Sequence, residues 1–106
     1  MVDHSEPTYD VVWPKSPSGV AAHRLADRLD TLHGKRIAFL WDYVFRGDEI
    51  FPLIERELTD RFPGLEAVGY EEFGNSHGGD EAKFKANLPA ALADQRIDGV
   101  ISGMGC

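Results

Sequence analysis

The chain has 106 residues, 42% of them hydrophobic, enough for one small domain with a single core. Lys and Arg number 11 against 18 Asp and Glu, a formal charge of −7 with no basic cluster, which argues against nucleic acid or an anionic membrane surface as partner. No apolar run approaches the ~18–20 residues of a bilayer span, and no internal repeat is visible.

The opening MVDHSEPTYD is acidic and lacks the basic-then-apolar order of a signal peptide. Residues 1–30 read as an extended arm: PTYDVVWPKSPSG carries Pro7, Pro14 and Pro17, and only Val11–Trp13 offers an apolar contact. VAAHRLADRLD is either a brief helix or an irregular lead-in ending at Leu29 and Leu32. The α/β domain is expected over 31–106. KRIAFLW, a basic pair followed by an unbroken apolar run, predicts a strand covered on both faces, as in a parallel sheet.

RGDEIFPLIERELTDRF then repeats apolar residues at 50, 51, 54, 58 and 62, one helical face, with Asp48 as N-cap and Pro52 in the first turn. FPG closes that helix. LEAVGYEEF predicts a second strand nearer an edge, and GNSHGG a loop. DEAKFKANLPAALADQ predicts a helix from Asp80, kinked or broken near Pro89, and DGVIS a third strand. The order β-α-β-α-β predicts a three-stranded parallel sheet with right-handed crossovers. The most apolar strand belongs in the centre, giving strand order 2-1-3, a flavodoxin-like or Rossmann-like half; order 3-2-1 is the alternative.

Open parallel sheets bind ligands beyond the C-terminal ends of their strands. Three loops leave those ends: WDYVFRGDE, EEFGNSHGG and SGMGC. Asp42 stands where a substrate or metal contact sits, or forms a loop-stabilising Asx turn. Arg46 has the fork to orient a carboxylate or phosphate, or pairs with nearby acids. Asp48 and Glu49 are most simply first-turn partners of the helix dipole. His77, beside Asn75 and among glycines, has little core to fill and suits a general base or ligand. Cys106 is the sole cysteine, so no internal disulfide is available and a cytoplasmic location is expected. It follows Gly103 and Gly105, which clear space for a ligand rather than fill a core, and a thiol there suits a functional role. Asp42, His77 and Cys106 also form a possible transition-metal set, without the short fixed spacing of zinc sites.

Three stretches, LDTLHGKRIAFLWDYVFRGDEIFPLIERELTDRFPG, VGYEEFGNSHGGDE and GVISGMGC, resemble the N-terminal half of the UGSC family, named for its selenocysteine-Gly-Ser-Cys or Cys-Gly-Ser-Cys motif. The resemblance covers about residues 29–106, and WDYVFRGDEIFP and ISGMGC are its most specific pieces. In that family a Gly-x-Gly turn leads straight into the motif, so the resemblance implies that Cys106 is followed by it in a complete active site. Either a UGA codon read as selenocysteine or a separate subunit would supply the remainder. The activity implied is a thiol- or selenol-dependent oxidoreductase acting on a small molecule. Cys106 would be neighbour and resolving thiol, His77 a base or thiolate partner, and Arg46 with Asp42 the substrate-orienting groups. A metal-dependent enzyme subunit and a non-catalytic assembly subunit are the other readings. A two-sided central strand with only two helices and an arm to cover it further predicts association, with a C-terminal half, a partner subunit or a copy of the chain.

Overall fold

The computed structural model describes residues 5–16 and 19–105. Five main elements follow one another: β1 (Arg36–Trp41), α1 (Gly47–Arg61), β2 (Glu66–Val68), α2 (Glu81–Asp94) and β3 (Gly99–Gly103), with a 3₁₀ turn at Tyr70–Glu72. All pairing is parallel and the sheet order is β2-β1-β3, so the alternative 3-2-1 is excluded. β1 pairs with β2 from Arg36↔Glu66 to Ala38↔Val68 and with β3 from Ile37↔Gly99 to Trp41↔Gly103.

The apolar run explains this placement. Every residue from Ile37 to Trp41 is buried, which only a central strand covered on both faces permits. Side chains alternate, so Ile37, Phe39 and Trp41 share one face while Ala38 and Leu40 share the other. The two crossovers run in opposite directions across the sheet, and right-handed connections therefore put α1 and α2 on opposite faces. On the α1 face Phe51 meets Phe39 edge-on at 5.3 Å, with Ile54, Leu58 and Ile101 packed around them. On the other face α2 is only half-buried along Phe84, Leu88, Ala91 and Leu92 and carries no buried residue. Val100 and Ser102 of β3 lie exposed on that same face.

At the N-terminal ends of the strands Arg36 acts as a tie. Its amide donates to Asp98 Oδ2 at 2.9 Å, its Nε donates to the Gln95 carbonyl at 2.7 Å, and its guanidinium pairs with Glu66. Through its amide and its side chain Arg36 thus joins β1 to β2 and to the segment that leads into β3, at the end opposite the loops of interest.

Four details differ from the sequence expectations. Helix α1 begins at Gly47, with Arg46 in the N-cap position and no side-chain cap, so Asp48 sits inside the first turn. Pro52 accordingly lies beyond that turn and leaves the Asp48 carbonyl without its helical donor. β2 stops at Val68 because the chain turns into the 3₁₀ segment instead of staying extended to Phe73. Pro89 does not break α2, which runs on through it to Asp94; it lies on the exposed side, where water can serve the Lys85 carbonyl it deprives. VAAHRLADRLD is the irregular lead-in rather than a helix, and residues 5–16 and 19–30 are exposed without regular structure. The radius of gyration, 22.9 Å, accordingly exceeds the ~13 Å of a compact chain this long.

Candidate functional site

β1 delivers Asp42 to the C-terminal edge of the sheet. Its amide donates to the Gly103 carbonyl at 3.1 Å, carrying the β1–β3 ladder one step past the strands. Its carboxylate then folds over the turn that follows β3. Oδ1 accepts from the Met104 amide at 3.1 Å and from the Val44 amide at 3.3 Å, and Oδ2 accepts from the Gly105 amide at 3.0 Å. The Val44 bond is the Asx turn expected as one reading of this residue; the other two bonds clamp the β3 loop across 62 and 63 residues of sequence. Loss of hydration pushes the Asp42 carboxyl upward, but the amides of Met104, Val44 and Gly105 outweigh that and hold it below the usual carboxylate range.

No family model, curated protein or solved structure matches this chain. Its site is defined by its own geometry.

The second loop joins the same edge. Asn75 bridges to Trp41, the Ser76 amide donates to the Trp41 carbonyl at 3.2 Å, and Asn75 Oδ1 accepts from the His77 amide at 2.8 Å. Asn75 therefore shapes its own loop while standing beside Asp42. Gly103 is half-buried, and a Cβ there would touch the Phe51 ring at 3.4 Å; Gly105 has φ +84°, a conformation costly for other residues. Met104 is half-buried against the Phe39–Trp41–Phe51 cluster. The three loops named from the sequence thus converge, with Asp42, Asn75, Gly103 and Gly105 brought together by backbone pairing.

His77 and Arg46 stand further out. His77 is exposed, and Glu81 is held below its usual range first by Lys85, bonded at 2.8 Å, and to a smaller extent by His77. Arg46 is 80% exposed at the head of α1 and lies 3.7 Å from Glu49, the pairing with nearby acids that was its second reading. Cys106 lies outside the described residues. Among the described residues no group of three or more His, Cys, Asp or Glu could hold a metal ion. The Asp42, His77 and Cys106 set includes a residue outside that description.

One group of residues escaped the sequence reading. Trp41 and Tyr43 stack at 4.4 Å, and Tyr70 meets Trp41 edge-on at 4.9 Å and Tyr43 at 5.7 Å. The Trp41 Nε1 donates to the Val44 carbonyl at 2.9 Å, and the indole lies against Gly47 so closely that a Cβ at Gly47 would come within 2.7 Å of Trp41 Cδ1. Burial and then the charges of Glu71 and Asp48 push the Tyr70 phenol above its ordinary value. The first loop reaches this arrangement through Tyr43 and Phe45, both at φ 60°. The signal was present in WDY, an aromatic on each side of the strand-ending Asp, and in a glycine at the first helical position.

Chemically, a carboxylate engaged by three amides is an anchor before it is a base. It fixes the turn 103–105 at the C-terminal ends of the strands, the edge at which open parallel sheets take small ligands.

Proposed function

We propose that this chain is a component of a thiol- or selenol-dependent oxidoreductase acting on a small molecule, with its site at the C-terminal ends of the strands. The observation that carries the reading is the Asp42 clamp on Met104 and Gly105, the two residues directly before the sole cysteine. Arg46, a permanent cation, and His77, an imidazole, stand on two of the converging loops, and both are residue types found beside reactive thiols. Asn75 and Gly105 supply a polar, uncrowded floor for the substrate, and Gly103 lets the turn beneath it close against the Phe51 ring. The resemblance to the UGSC family supports the same assignment and adds a neighbouring selenol or thiol. In the reaction, the neighbouring selenolate or thiolate attacks one sulfur of a substrate disulfide and expels the other as thiolate. The Cys106 thiolate then attacks that selenium or sulfur, expels the second substrate half as thiolate and closes an internal selenylsulfide or disulfide. Completion by a C-terminal half, a partner subunit or a second copy is supported by the exposed Val100 and Ser102 and by the free edge of β3.

With one thiol per chain, reactivity reads out a single site. Folded protein should release aryl thiolate from a small aromatic disulfide at least about tenfold faster at neutral pH than the same chain in urea. Cys106→Ser should abolish release, and Asp42→Ala should bring the rate back toward that of the unfolded thiol. Equal rates folded and unfolded, with no effect of Asp42→Ala, would remove the clamp from the chemistry.

A further inference from the structure

Among the described residues, one cleft beside the strand ends is lined by side chains of Asp80, Lys83 and Asn87 to which the thiol chemistry gives no role. It lies between the loop 73–79 and one side of α2, and encloses about 390 Å³, within the range of small-ligand sites. Two rows of α2 residues line it. Phe84 and Leu88, one turn apart, give an apolar strip that faces Phe73 of the loop. Beside them run Asp80, Lys83 and Asn87, a polar row at the same helical spacing.

The charges of that row are the informative part. Lys85, on another side of α2, bonds Glu81 at 2.8 Å, as a surface cation usually does with an acid one turn away. Among the described residues, Lys83 and Asp80 form no ion pair with each other or with any other group, and Asn87 makes no side-chain hydrogen bond. The cleft therefore presents one free cation, one free anion and one free amide within a turn or two of helix, all next to an apolar wall. A purely apolar ligand would use none of those groups, and a simple anion would meet Asp80 as well as Lys83.

We infer that this cleft binds a small zwitterion with an apolar side chain: an amino acid or a close analogue. Its carboxylate meets Lys83, its ammonium meets Asp80, Asn87 serves whichever polar atom remains, and the side chain lies on Phe73, Phe84 and Leu88. The binding rests on none of the Cys106 chemistry. The cleft nevertheless opens beside the strand ends, because Asn75 both lines it and bridges to Trp41.

The test titrates isotope-labelled full chain with L-phenylalanine, following backbone amide resonances. Saturable shifts are expected at Gly78, Gly79 and Phe84, with Ile37–Leu40 unmoved. Phenethylamine and 3-phenylpropanoate, each lacking one charge, should bind at least about tenfold more weakly, as each forgoes one charge-assisted contact. Lys83→Met should erase the preference for L-phenylalanine over phenethylamine, and Asp80→Asn the preference over 3-phenylpropanoate. Both positions are exposed, so the fold is not at stake. Absence of saturable shifts, shifts centred elsewhere, or equal binding of all three probes would overturn the inference. Retained reactivity of Cys106 in Lys83→Met and Asp80→Asn would leave the oxidoreductase reading standing whatever the titration gives.

Discussion

Replacing Gly47 with Ala tests how tightly the site is built. The new methyl carbon would lie 2.7 Å from Trp41 Cδ1 and nearer still to Nε1 and Cε2, so the indole has to move. Moving it forfeits the bond to the Val44 carbonyl, about 1 kcal/mol. It also disturbs the stack on Tyr43, a further ~0.5–1.5 kcal/mol. Overpacking of this kind ordinarily costs ~1–3 kcal/mol in all. Against that, Ala in place of Gly returns at most ~1 kcal/mol of helix propensity, less at the first helical position. We expect a net loss of about 2 kcal/mol. Urea unfolding followed by tryptophan fluorescence measures it, in a Trp13→Phe background that leaves Trp41 as sole reporter. Gly79→Ala is the control: its Cβ meets nothing within 4 Å, so that variant should match the parent within about 0.5 kcal/mol. A Gly47→Ala midpoint at or above the parent's, or an equal loss in Gly79→Ala, would show that the indole is not pinned as described.

Two more outcomes follow from the same geometry. Because the Asp42 carboxyl is held below its unfolded value, its stabilising contribution is present above the ordinary carboxylate pKa of ~3.9 and is lost as pH falls through the lowered folded value. The Met104 and Gly105 amide resonances should therefore titrate together below about pH 4, and Asp42→Asn should abolish that titration; amides that stay still would refute the clamp. Phe51, 3% exposed against Phe39 and Tyr70, should cost ~3–5 kcal/mol when cut to Ala, read by the same urea assay, and a loss under 1 kcal/mol would place the core elsewhere.

The sheet was legible because one signal dominated: an unbroken apolar run at 37–41 suits a strand with cover on both sides, and its place in the centre favours order 2-1-3 over the 3-2-1 that crossover handedness equally allows. Boundaries were less legible where local rules compete. Asp48 looks like a cap, yet the helix starts two residues earlier than that cap implies, with Gly47 close against the Trp41 indole, a tertiary contact that propensity does not contain. Pro89 looks like a break, yet exposure makes a missing bond tolerable. At the site, the sequence named the converging loops and Asp42 but divided its role between contact and turn. The bonds to Met104 and Gly105 span 62 and 63 residues, and no local pattern encodes them.

The unequal ladders on the two sides of β1 decide which part of the molecule opens first. Closing β1 on β3 spans 62 residues and closing it on β2 spans 30, but a doubling of loop length costs only about 0.6 kcal/mol. The longer closure secures five paired positions, the shorter one three, and Asp42 adds its own bonds to the longer. Local opening should thus fray β2 and its following turn while β1, β3 and the clamped residues stay together as one cooperative unit. The candidate site rides on the last part of the sheet to come apart.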